Sequence, residues 1–142
     1  MKPFLDASAL VKRYVREPGS TAVRAMLRRT RPLVARIAYA EVAAAIAKAW
    51  RHGIIAEERR AAILSKLAGD FGDFDVIEIR RATLQDVPAL VTRHPLRGYD
   101  AVQLAAALAA RDAGTAVSFW CTDEALAAAA DAEGLRVIVP SD

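Results

Sequence analysis

At 142 residues the chain has the length of one compact domain and can bury a core without disulfide staples, so residues 1–142 are expected to form a single domain. A hydrophobic fraction of 54%, much of it alanine, excludes a disordered or fibrous chain and favours helices packed closely on a sheet. The net charge is only +3, yet sixteen of the 20 basic residues are arginine, the side chain best shaped for bidentate phosphate contact, so the charge permits a nucleic-acid partner without proving one.

The first element is the apolar run Pro3-Phe4-Leu5, stopped by Asp6 and followed by a helical pattern through Leu10, Val11 and Tyr14 that Pro18-Gly19 breaks. That acid comes too early for a signal peptide, and no run reaches membrane-spanning length, so a cytoplasmic location without a membrane partner is expected. Ser20 or Thr21 opens a second helix through Val23, Met26 and Leu27, and 32–35 reads as a short buried strand. A long alanine-rich helix runs from Ile37 to His52 and stops at Gly53; helical periodicity resumes from Ala56 to Phe71, which suggests a hairpin. Strand 76–79 precedes a helix through Leu84, Val87 and Leu90 that must tolerate or bend at Pro88. After the loop 94–98 come a helix from Tyr99 to Ala113, a strand from Ala116 to Cys121, a helix from Asp123 to Glu133 and a closing strand from Arg136 to Val139. Short apolar strands separated by helices imply a mainly parallel sheet covered on both faces, a three-layer α/β/α sandwich. The lone cysteine, Cys121, allows no intrachain disulfide and sits in the apolar run 117–121, which suits a buried, inert thiol.

In open α/β sheets, ligands bind beyond the carboxyl ends of strands near a change in strand order. Asp6 and Asp123 each follow a strand, while Glu41 and Asp100 fall early in helices. Singly, each has a structural explanation: Asp6 and Asp123 as N-caps, Glu41 and Asp100 as complements to a helix dipole. Together they point elsewhere, because Glu41 and Asp100 interrupt apolar surroundings where a solvated face would carry more charge. Carboxylates are rarely buried unless paired or bound to metal. An all-oxygen set without histidine or cysteine suits Mg²⁺ or Mn²⁺, ions that orient a phosphodiester and activate water. Ser8 can support Asp6 or occupy an ordinary first-turn position, and Thr122 is similar. His52 and His94 have no ligand spacing and receive no role.

The segments 4–12 (FLDASALVK), 40–42 (AEV), 99–107 (YDAVQLAAA) and 121–123 (CTD) resemble the successive acidic motifs of PIN-domain ribonucleases, and within these the VapC-type toxins. The resemblance spans essentially the whole chain, including the late strand signal 134–138. It implies a PIN-like fold and a Mg²⁺- or Mn²⁺-dependent endoribonuclease, usually a dimer, neutralised by a VapB-type antitoxin in a hetero-oligomer. By position, Asp6, Glu41, Asp100 and Asp123 would hold metal and orient water, with Ser8 and Thr122 in support and Arg97 as an RNA phosphate contact. Two rivals from another class are weakened by the same residues: an aspartyl phosphatase wants an acid at position 8, and a receiver wants a late lysine, whereas none follows Lys66. An inert α/β RNA-binding module is the non-enzymatic alternative.

Overall fold

The computed structural model describes residues 1–142. In chain order the elements are β1 (Lys2–Leu5), α1 (Ala7–Leu10) tightening into a 3₁₀ turn (Val11–Arg13), α2 (Ser20–Leu27), β2 (Leu33–Ala35), α3 (Ile37–Arg51), α4 (Glu57–Asp73), β3 (Asp75–Ile77), α5 (Arg81–Leu84), α6 (Val87–Arg93), α7 (Gly98–Asp112), β4 (Val117–Trp120), α8 (Glu124–Ala132) and β5 (Arg136–Ile138). The strands form one sheet in the order β3-β2-β1-β4-β5, and every neighbouring pair is parallel. From β1 the chain builds outward through β2 to β3, then crosses back to lay β4 on the other side of β1. The strand order therefore reverses between β1 and β4, where Phe4 lies opposite Phe119 and Leu5 opposite Trp120.

Alternation along the strands divides the core into two layers. Phe4, Val117 and Phe119 point to one face, where they meet Leu104, Ala106, Leu126 and Leu90 of the α6–α8 layer. The Phe4 and Phe119 rings stack at 5.4 Å. Leu5 and Val34 point to the other face, against Leu10, Val23, Val42, Ile46, Leu67 and Phe71. The three-layer sandwich follows from this alternation. Alanines allow α7 to approach the sheet closely, and residues 101–107 are all buried. Helices α3 and α4 form the expected hairpin, with Tyr39 packed edge-on against Phe71 at 5.2 Å. No helix is long and apolar enough to cross a membrane.

The expected helix through Leu84, Val87 and Leu90 is instead two helices. The helical run breaks at Gln85–Asp86, and Pro88 falls in the first turn of α6, where its missing N–H leaves no intrahelical bond unmade. Gly19 is needed for conformation and for space: its φ is +93°, and a Cβ there would stand 2.7 Å from the Pro140 carbonyl oxygen.

Candidate active site

Asp6 begins where β1 ends. Its N–H still donates to the Trp120 carbonyl at 3.2 Å, continuing the ladder to β4, while its side chain turns to cap α1 by accepting from the Ala9 N–H at 2.9 Å. The Ser8 hydroxyl donates to the same carboxylate, 2.7 Å from Oδ1 and 2.9 Å from Oδ2. The Cys121 thiol adds a contact to Oδ2 at 3.2 Å. Asp6 is only 3% exposed and has no cationic partner. Burial therefore prevails over the lowering effect of Ser8, Ala9 and Cys121, and the carboxyl is pushed up to about 6.

Ser8 also ties the two strand ends together. While donating to Asp6, its Oγ accepts the Thr122 N–H at 2.9 Å. Thr122 thus meets Ser8 through its backbone N–H.

Glu41 lies half-buried in the second turn of α3, where Gln103 Nε2 donates to its Oε1 at 2.8 Å. Its carboxyl is raised above the usual range, first by burial and then by the charges of Asp100 and Asp6, against the lowering effect of Gln103. Asp100, in the first turn of α7, is raised by burial and by the charge of Asp123, with Arg97 pulling the other way. Asp123 is exposed and caps α8, accepting from the Leu126 N–H at 3.0 Å. The fold brings the four acids into one electrostatic neighbourhood, Glu41 to Asp6 and Asp100, and Asp100 to Asp123. They are not packed into a closed ligand cage: no three histidine, cysteine, aspartate or glutamate side chains form a compact metal-binding group.

Asp6 and Asp123 are both helix caps, and both lie at the point of strand reversal. Arg97 is exposed, enters no ion pair, and precedes α7. His94 binds Glu133 at 2.7 Å, outside the acidic group. Sequence reasoning overlooked Gln103, which is buried to 1% and has an amide oxygen with no hydrogen-bond partner. The available signal was its place three residues after Asp100 on the same helical face, the one amide in the apolar run 101–107.

No family model matches the chain. Ribonuclease VapC49 of Mycobacterium tuberculosis (strain ATCC 25618 / H37Rv) is 37% identical to it over 139 residues, an alignment covering 94% of this chain and 92% of that protein. The chain belongs to the VapC ribonuclease family. Ribonuclease VapC46 of the same strain extends the similarity, at 34% identity over 140 residues and 97% of each chain. The VapC assignment agrees with the fold. A toxin-antitoxin complex from Klebsiella pneumoniae contains a chain that superposes with a TM-score of 0.62 over 99% of both chains, at 19% identity. The all-parallel five-stranded sheet and its helical layers are those the acidic motifs implied for a PIN-like protein.

Proposed function

We propose that this chain is a VapC-type toxin: one domain, residues 1–142, that hydrolyses RNA phosphodiester bonds within the strand with the aid of Mg²⁺ or Mn²⁺ held by Asp6, Glu41, Asp100 and Asp123. The observation that carries the reading is the placement of Asp6 and Asp123 beyond β1 and β4, where the strand order reverses, together with the burial of Asp6 without a cation. A structural cap has no need of burial that raises its own carboxyl to about 6.

The donor set suits a hard cation. All four side chains offer oxygen, and an open grouping fits Mg²⁺, which keeps several of its waters and is commonly held by one or two carboxylates. When bound, such an ion orients the phosphodiester, favours hydroxide over water and offsets charge on the leaving oxygen. Within the chain, Ser8 fixes the rotation of Asp6, the Thr122 N–H fixes Ser8, and Arg97 offers an exposed guanidinium to a backbone phosphate.

The partner in this reading is a VapB-type antitoxin, supported by the kinship with VapC proteins and by the toxin-antitoxin complex that shares the fold. Its segment would lie along the α3–α4 hairpin of a homodimeric toxin. The deciding experiment is RNA cleavage by antitoxin-free protein in EDTA, Mg²⁺ and Mn²⁺, with Asp6→Asn and Asp100→Asn alongside wild type. Cleavage that requires the cation and disappears in both variants is expected. RNA binding with no cleavage under any condition would select the inert binding module instead.

A further inference from the structure

The side chain of Gln103 is buried to 1%, and its amide makes one hydrogen bond where it could make several. Nε2 donates to Glu41 Oε1 at 2.8 Å, whereas Oε1 has no partner. The opposite orientation of the amide would set its oxygen against a carboxylate oxygen, acceptor against acceptor, so the ionised Glu41 fixes which end is left free. A buried acceptor without a donor is unfavourable, and few are found in folded proteins. Here the free oxygen belongs to an amide attached to one of the four acids, on the same helical face as another, Asp100.

Resting on the metal-dependent reading above, we propose that Gln103 is a positioning residue for the hydrated cation. Its Nε2 holds the Glu41 carboxylate in place, and its Oε1 accepts a hydrogen bond from a water in the ion's shell. Carboxylates alone can accept such bonds, but all four acids are also the groups that offset the ion's charge. A neutral amide oxygen orients a water without adding to the repulsion that Asp6 and Asp100 exert on Glu41, and Asp123 on Asp100. Groups that orient a metal's direct ligands in this manner affect its affinity by roughly tenfold to a hundredfold.

The test is Mn²⁺ binding to RNA-free protein, followed by titration calorimetry and by loss of the free-ion signal in electron paramagnetic resonance. Gln103→Met keeps the length and removes donor and acceptor; Gln103→Leu serves the same purpose should the methionine variant not fold, with melting curves as the control. The folded variant should bind Mn²⁺ about tenfold to a hundredfold more weakly than wild type. Introduced into Glu41→Ala, the same substitution should weaken binding less, because the part of its effect that passes through Glu41 is already gone. Wild-type affinity in the Gln103 variant, beside weakened binding in Glu41→Ala, would overturn the inference and leave the nuclease reading standing. An equal loss in both backgrounds would overturn the positioning of Glu41 through Nε2, by showing an effect that does not pass through that carboxylate. Failure of wild type itself to bind Mn²⁺ would remove the metal-dependent reading and this inference with it.

Discussion

The Cys121 thiol donates to Asp6 Oδ2 across 3.2 Å, so the residue just beyond β4 contacts the residue just beyond β1 through a bond between side chains 115 positions apart. Both groups are buried; the Asp6 charge raises the cost of ionising the thiol, whereas the thiol's hydrogen bond eases ionisation of Asp6. The thiol is accordingly pushed far above its ordinary range, first by burial and then by the Asp6 charge. Native protein should resist iodoacetamide at neutral pH and take up one label per chain only after unfolding, as mass spectrometry would show. Rapid labelling of folded protein would contradict the burial of this contact.

The burial of Asp6 makes stability depend on pH in a definite direction. Its carboxyl rises from 3.8 to about 6 on folding, so the contribution it makes is fully present below about 3.8 and is lost as pH climbs through about 6. The loss amounts to about 3 kcal/mol, since one pH unit corresponds to about 1.4 kcal/mol. In EDTA, Asp6→Asn, which keeps an acceptor for the Ala9 N–H, should melt above wild type at pH 7.5 and match it near pH 4. A gap that does not change with pH would count against the unpaired, buried carboxylate.

Asp123 allows its cap and its proposed chemistry to be separated. Asparagine can still accept from the Leu126 N–H, so Asp123→Asn should stay within about 0.5 kcal/mol of wild type, while Asp123→Ala loses about 0.5–2 kcal/mol. Both should reduce RNA cleavage to a similar extent. Denaturant unfolding and initial cleavage rates measured on the same preparations check this, and full activity in the asparagine variant would leave Asp123 a cap alone.

A second polar network serves stability. Asp70 on α4 accepts from Arg13 Nε and from the Tyr14 hydroxyl, each at 2.7 Å, joining the turn after α1 to the hairpin. Burial would raise the Asp70 carboxyl, but the hydrogen bonds from Arg13 and Tyr14 prevail and hold it below the usual range. Its stabilising effect is therefore present above about 3.8 and disappears as pH falls through the lowered value. Asp70→Ala should cost about 1.5–3 kcal/mol at pH 7 and Tyr14→Phe about 1 kcal/mol. Urea titrations of the single and double variants should show losses that do not add, and RNA cleavage by the folded fraction should be unchanged.

The parts of this structure legible in the sequence were those with short-range causes. Apolar runs halted by Asp6 and by Thr122-Asp123 marked two strand ends, and Gly53 marked the break between two long helices. The acids Glu41 and Asp100 stood out because their neighbours were alanine, valine and tyrosine. Pro88 misled because a proline inside a helical pattern and a proline opening a new helix look alike until the break at Gln85–Asp86 is seen. Gln103 was hidden for a different reason: glutamine is a good helix former and is usually exposed, so only the approach of α3 to α7 reveals that it is buried against Glu41. The Arg13–Asp70–Tyr14 network joins residues more than 50 positions apart and had no local signature.

The strand order also sets when the acids can come together during synthesis. Strand β1 is made first, yet one of its two neighbours is β4, which starts at Val117, and the contact from Asp6 to Cys121 closes a loop of 115 positions. Such distant pairings form late, after the entropy of closing the loop has been met. A growing chain that has emerged only through α7 carries Asp6, Glu41 and Asp100 but no β4 to complete the sheet around β1. Ribosome-bound chains arrested at that point should be cut readily by protease, and should become resistant once β4 and β5 are free of the exit tunnel. On this order the sheet around β1, and with it the full set of acids, cannot be completed until the last quarter of the chain has been translated.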